Sequence, residues 1–161
     1  MKYLFRYSLI LAVAGFILGC APQGDSPEQM IAAAKALDQQ FVEAYSKGDV
    51  DGVMATYWNS PELVSYSPDA MEARGWQAVR DGLATFFTST SGAKLELLET
   101  NYKVAGNVVF GWGKWRLTIP AGGDKPMEML GRYSDVKAKR DGKWVYIFDH
   151  ASVPLPPSPE K

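Results

Sequence analysis

The segment RDGKWVYIFDHAS, residues 140–152, joins a turn signal to a strand-length run of aromatic and β-branched residues. Asp-Gly favours a tight hairpin turn, and the residues that follow suit a pleated, half-buried strand. Three comparable segments precede it, at residues 94–104, 108–119 and 127–140, with turn residues or a glycine-containing loop between them. The second half of the chain is therefore predicted to form four antiparallel strands.

The first half of the chain has a helical period. Apolar residues recur at three- and four-residue spacing from Pro27 to Tyr45, which indicates a helix that ends at Gly48. Asp49 can cap a second helix through Tyr57, residues 75–88 indicate a third, and residues 62–66 suggest a short strand. Helices followed by a strand meander predict an α+β fold, with the helices packed on one face of a curved antiparallel sheet.

The beginning of the chain has the composition of a signal peptide. Lys2 and Arg6 precede an apolar run over residues 7–18, which is short for a bilayer span. Residues 17–20 read ILGC. This ending resembles a bacterial lipobox, in which the cysteine is lipidated after cleavage. Cys20 is the only cysteine, so we expect it to be the lipidation site. An ordinary cleaved signal or an uncleaved anchor with a spare thiol is the alternative.

These features divide the chain into a signal peptide at residues 1–19, a lipidated tether at 20–27, one domain at 28–153 and a proline-rich tail at 154–161. The expected location is the cell envelope after export, and Ala21 favours the outer membrane facing the periplasm. The precursor carries 17 Lys and Arg against 18 Asp and Glu, without a basic block, which argues against nucleic-acid binding. One histidine and one lipidated cysteine leave too few ligands for a metal site, and no cofactor is predicted.

Two stretches carry a family resemblance: FVEAYSKGDVDGVMATY at residues 41–57 and the hairpin at residues 140–152. Together they resemble the SnoaL-like branch of the nuclear transport factor 2-like superfamily, over about residues 27–154. The resemblance implies a cone in which helices close over a bent sheet and leave a pocket, and in which the back of the sheet often forms a homodimer. The superfamily includes isomerases, cyclases, assembly hubs and binding modules, so the fold alone does not define an activity.

Comparison with ketosteroid isomerases argues against their mechanism in this chain. Aligning the turn at Gly48 places Phe41 where those enzymes have an oxyanion-binding tyrosine. Ser65, Tyr66 or Ser67 then stands in place of their aspartate base. A phenyl ring donates no proton, and none of these hydroxyls is a base near neutral pH.

The hairpin is more similar to the association domain of calcium/calmodulin-dependent protein kinase. The resemblance places Trp115, Asp135 and Ala151 where that domain has pocket arginines, which implies an apolar, neutral or cationic ligand. It also implies that the face of Trp115, including Gly111 and Gly113, is directed into the pocket. These glycines either leave room for a ligand or let the sheet bend.

The same alternation addresses the adjacent pair Asp149-His150. If Ala151 faces the pocket, Val145, Ile147 and Asp149 do so as well. The opposite face is then predicted to carry Trp144, Tyr146, Phe148 and His150. Adjacent strand residues point apart, so His150 is interpreted as structural, with a bulge at the strand end as the route by which it could reach the ligand.

The candidate catalytic residues are Asp135, Asp149 and His150, with an aspartate as general base if burial raises its pKa and as a salt-bridged residue otherwise. The predicted ligand-binding residues are Trp58, Trp115, Asp135, Asp149 and Ala151. The sequence thus predicts a membrane-anchored lipoprotein whose domain binds a small, mostly apolar molecule, as a homodimer formed through Phe110, Trp112, Tyr146 and Phe148. The alternatives are an isomerase- or cyclase-type enzyme and a non-catalytic assembly module.

Overall fold

The computed structural model describes residues 24–120 and 125–155. The predicted signal peptide, Cys20 and most of the proline-rich tail lie outside these residues. Within the described parts of the chain, no helix is long and apolar enough to cross a membrane.

Three helices precede most of the sheet. Helix α1 covers Pro27–Lys47, begins at a capping box between Ser26 and Gln29, and ends at Gly48 in the left-handed conformation, φ 67°. Helix α2 covers Val50–Met54, and the Asp49 side chain accepts a hydrogen bond from the Gly52 amide. Helix α3 covers Trp76–Ser89. The prediction that α2 reaches Tyr57 was wrong, because Tyr57 leaves the helix and forms a β-bridge with Tyr146.

Six strands form one sheet in the order β2-β1-β6-β5-β4-β3. Their bounds are Val64–Ser67, Ala70–Arg74, Lys94–Ala105, Val108–Ile119, Met127–Arg140 and Lys143–Ser152 for β1 to β6. All neighbours are antiparallel except β1 and β6, which are parallel. Helices packed on this curved, unclosed sheet confirm the predicted α+β class. Strand β2 was not predicted; its AMEAR sequence is largely exposed and lacks a β-branched residue.

Strand β4 alternates as predicted. Val109, Gly111, Gly113, Trp115 and Leu117 are buried on the concave face. Phe110 and Trp112 are 43% exposed on the other face, so the residue pattern alone gives the correct orientation here.

Strand β6 does not alternate along its whole length. Asp149 pairs with Asp135 and Phe148 with Val136, but Lys137 pairs with Tyr146, so Ile147 is an extra residue that forms a β-bulge. Before the bulge, each residue of β6 lies on the opposite face of the sheet from the one that strict alternation predicts. Tyr146 packs with Leu37 and Tyr57, and Trp144 packs with Met30 and Ala34. The prediction that Tyr146 and Trp144 lie on the back of the sheet was therefore wrong, and Tyr146 is not available to a dimer interface there.

Candidate ligand pocket

A cavity of about 250 Å³ lies between the helices and the concave face of the sheet. Most of its lining is apolar and forms what we call the apolar wall: Phe41, Tyr45, Leu83, Phe86, Leu97 and Leu117. The helical members of this wall follow from the amphipathic pattern of α1 and α3, which turns their apolar faces toward the sheet. Such a surface favours an apolar molecule of modest size.

One part of the lining is polar: Asp38, Asp135, Asp149, Tyr57 and Tyr146. Lys137 and Tyr102 do not line the cavity but contact Asp38. We call these residues together the polar cluster. Lys137 is fully buried, and its Nζ lies 2.7 Å from Asp135 Oδ1 and 3.0 Å from Asp38 Oδ1. A buried ammonium requires such partners, because an unpaired buried charge is strongly unfavourable.

Tyrosine hydroxyl groups donate hydrogen bonds to two carboxylates of the polar cluster, Asp38 and Asp149. The Tyr102 hydroxyl donates to Asp38 Oδ2 at 2.7 Å, and the Tyr146 hydroxyl donates to Asp38 Oδ1. The Tyr57 hydroxyl donates to Asp149 Oδ2 at 2.8 Å. Burial and the neighbouring carboxylates raise the pKa of Tyr57 and of Tyr146 well above the ordinary value, so both phenols stay protonated and act as donors.

Glycine makes room for this cluster. A Cβ atom at Gly111 would lie 2.6 Å from Asp135 Oδ1 and 2.7 Å from Lys137 Nζ. At Gly113 it would lie 1.8 Å from the backbone oxygen of Glu99, next to the bulge in β3. The two glycines of β4 thus accommodate other parts of the protein, and the room they leave is already filled. The idea that their missing side chains create space for a ligand is wrong at both positions.

Burial also changes the acidity of the two aspartates that face the cavity. It raises the pKa of Asp135 to about 7, although the adjacent Lys137 ammonium acts in the opposite direction. Burial raises the pKa of Asp149 as well, and the hydrogen bond from Tyr57 opposes that shift. A carboxyl group whose pKa is raised toward neutrality in this way suits general acid or base chemistry.

The structure places four of the five predicted ligand-binding residues on the cavity: Trp115, Asp135, Asp149 and Ala151. Trp115 is fixed by its indole N–H, which donates to the Arg132 backbone oxygen at 3.1 Å. Trp58 lies outside the lining, where the guanidinium of Arg140 is 5.1 Å from its ring centroid. The preceding residue, Tyr57, borders the cavity instead.

His150 also lies outside the lining and contacts a ring instead. Its imidazole is edge-on to Tyr66, with centroids 6.0 Å apart, and its strand position pairs with Ser134. The bulge in β6 lies before Asp149, and so it does not turn His150 toward the cavity. Asp149 and His150 are therefore not paired with each other through their side chains in the described structure.

Sequence reasoning missed Asp38 and did not recognise that Lys137 is buried. Asp38 occupies the buried face of α1, next to Leu37 and one turn before Phe41, so its position in the helical period was the available signal. Lys137 lies two residues after Asp135 and thus shares its face of β5, which the alternation also implied. Among residues 24–120 and 125–155, no group of three His, Cys, Asp or Glu side chains could hold a metal ion.

The comparisons agree with this architecture. The profile of the SnoaL-like domain matches residues 34–156, and the chain belongs to this family. An NTF2-like superfamily protein from Salmonella enterica is similar in structure, with a TM-score of 0.74, 20% identity, and 83% of this chain and 96% of that chain covered. The likeness shows a shared fold. No curated protein is significantly similar to the chain in sequence.

Two further solved structures have the same fold. A protein from Streptomyces avermitilis, provisionally described as a dehydratase of the NTF2-like family, has a TM-score of 0.73 and 16% identity over 81% of this chain and 100% of that one. A Xanthomonas campestris protein, provisionally described as a calcium/calmodulin dependent protein kinase II association domain, has a TM-score of 0.66 and 21% identity, with 80% and 89% covered.

Proposed function

We propose that the domain binds a small, mostly apolar molecule in the cone-shaped pocket. The observation that carries this proposal is the cavity of about 250 Å³, whose lining joins the apolar wall to the polar cluster. An apolar surface supplies affinity by burial, and a few fixed polar groups orient the ligand. Both requirements are met by side chains that the fold already holds in place.

The proposed setting of this pocket is the cell envelope. The proposal includes export, lipidation at Cys20 and attachment to the outer membrane facing the periplasm, and it rests on the sequence ILGC at residues 17–20. It also includes a homodimer through the back of the sheet. Phe110 and Trp112, each 43% exposed, support that interface, because large apolar side chains gathered on one sheet face favour a covering partner.

Filling the pocket tests the binding proposal. Ala151 lines the cavity, whereas Ser152 is the next residue of β6 and points to the other face. Native mass spectrometry of the purified full chain should show a retained small molecule in the wild type and in Ser152→Phe, and none in Ala151→Phe. A folded wild-type chain that retains no molecule, or an Ala151→Phe chain that retains it equally well, would contradict the proposal.

Acid–base catalysis is the second candidate function. The specific observation in its favour is that Asp135 and Asp149 both border the cavity, with burial raising the pKa of Asp135 to about 7 and the pKa of Asp149 in the same direction. Exchange of the α-protons of cyclohexanone with D₂O, followed by NMR, would then be faster with the wild type than with Asp135→Asn. Equal exchange with both proteins and with buffer would remove this candidate.

A further inference from the structure

Asp135 and Asp149 lie directly opposite each other on β5 and β6. Opposed side chains on one face of an antiparallel pair have Cβ atoms about 4.5–5.5 Å apart, and like charges in this arrangement repel. Both carboxyl groups border the cavity. The fold thus holds two acids close together where the cavity contents can reach them.

The cations of the described residues do not neutralise this pair. The Lys137 ammonium is shared by Asp135 and Asp38, so its one charge already faces two carboxylates. In the described parts of the chain, Asp149 has no salt bridge, and its hydrogen-bond donors are neutral: the Tyr57 hydroxyl and the His150 backbone N–H. With every carboxyl group ionised, the cluster would hold three negative charges against one positive charge. One further positive charge at the pair would relieve the repulsion.

A second observation concerns the same wall of the cavity. Tyr133 lies two positions before Asp135 on the same face of β5, roughly 7 Å along the strand. It borders the cavity, and its hydroxyl oxygen is buried without a hydrogen-bond partner among residues 24–120 and 125–155. A buried hydroxyl without a partner is unfavourable, so a polar group from the cavity contents is the partner that would satisfy it.

We infer that the Asp135–Asp149 pair is a receptor for the ammonium group of a small amine whose apolar body lies against the apolar wall. This inference rests on the proposed binding function and specifies its ligand class. An alkylammonium carries up to three N–H donors, which suit two carboxylates and the Tyr133 hydroxyl. The ring of Tyr57, whose hydroxyl bonds Asp149, borders the same space and adds cation–π attraction.

In the absence of an amine, a proton occupies the pair part of the time, since burial raises the pKa of Asp135 to about 7. Amine binding near neutral pH therefore releases a fraction of a proton to the buffer. The ionisable or phenolic groups around Asp135 come from three strands, from helix α1 and from the segment after α2. They are Tyr102 on β3, Tyr133 and Lys137 on β5, Tyr146 and Asp149 on β6, Asp38 on α1, and Tyr57.

Three probes of similar shape and different charge test the inference: 2-phenylethylamine, 2-phenylethanol and phenylacetate. Titration calorimetry on the purified full chain at pH 7.5 should show the amine binding at least tenfold more tightly than the alcohol, and phenylacetate binding most weakly. The apparent heat of amine binding should also change with the ionisation enthalpy of the buffer. The heat of alcohol binding should not, because the alcohol displaces no proton.

Asp149→Asn is the principal variant, because the asparagine carbonyl can still accept the hydrogen bond from Tyr57. It should bring the amine and alcohol affinities within about threefold of each other, chiefly by weakening amine binding. The matched control is Asp69→Asn, which removes the same charge from an exposed residue of the cavity lining. The control should keep the preference for the amine, because an exposed charge is screened by water and salt.

The outcomes separate this inference from the function on which it rests. If the wild type binds amine and alcohol equally, or if Asp149→Asn keeps the preference for the amine, the inference of an ammonium receptor is overturned. The proposed binding of a small molecule in the pocket is then unaffected. If a folded chain binds none of the three probes and retains no molecule in mass spectrometry, the binding function itself is overturned. A thermal melt of each variant confirms that it is folded before the titration is interpreted.

Discussion

The apolar wall and the polar cluster border one cavity, yet they are held together differently. The apolar wall packs by contacts without strict direction, such as those among Phe41, Tyr45 and Phe86. The polar cluster depends on specific partners, with Lys137 fixed between Asp38 and Asp135. A wall residue can be replaced by another of similar volume at modest cost, whereas removal of Lys137 leaves two buried carboxylates without their cation.

The largest expected effect follows from removing the buried cation. Lys137→Met should lower the free energy of unfolding by about 3–5 kcal/mol, because Asp38 and Asp135 then lose their charge partner in a buried site. Urea denaturation measures the change. The matched control is Lys114→Met, whose Nζ also lies 2.7 Å from a carboxylate, that of Glu99, but whose side chain is 66% exposed. The control should cost less than about 1 kcal/mol, and equal losses in both variants would remove the distinction between the two regions.

A second effect should appear as pH dependence of stability. The pKa of Asp135 is raised from 3.8 to about 7 on folding, so the folded state binds the proton more tightly than the unfolded state. The resulting stabilisation is present below pH 4 and is lost as pH rises through 7, an effect on the order of 4 kcal/mol. Denaturation at several pH values should show this decline, and Asp135→Asn should make it shallower. A decline of the same slope in the variant would assign the effect to other groups.

The smallest effect concerns two glycines that border the two regions. Gly111→Ala should destabilise the chain by about 1–3 kcal/mol, since the new methyl group would meet the Asp135 carboxylate and the Lys137 ammonium. Gly82→Ala in α3 meets nothing within 4 Å and should stabilise the chain by up to about 1 kcal/mol through helix propensity. Thermal denaturation of the two variants measures both signs. Stabilisation by Gly111→Ala would show that the cluster has room to shift.

The fold was largely predictable because local patterns and global packing agree in this chain. The three-and-four spacing before Tyr45 and the turn residues between the strands gave the order of helices and strands, and β4 kept its predicted faces. The bulge at Ile147 was not predictable from alternation, since an extra residue leaves no mark in composition. Because of the bulge, Tyr146 lies in the polar cluster and not on the back of the sheet, where alternation predicts it.

The site was predictable only in part, for a related reason. Asp135, Asp149, Trp115 and Ala151 were placed through the hairpin and the resemblance, and all four border the cavity. Whether they bind a ligand stays a prediction. Asp38 escaped notice because its partners are 64 and 108 residues away, at Tyr102 and Tyr146. Contacts of such separation follow from the folded topology and from no nearby sequence pattern.

One contact near the start of the described chain has a mechanical consequence. Asp25 accepts hydrogen bonds from Lys139 and from the Trp144 indole, close to the turn between β5 and β6. Tyr66, beside the β1–β2 turn that borders the cavity, pairs with His150, six residues and about 20 Å further along β6. A pulling force transmitted through the residues before Asp25 would therefore act on the β5–β6 turn and on the start of α1, about three helical turns before Asp38.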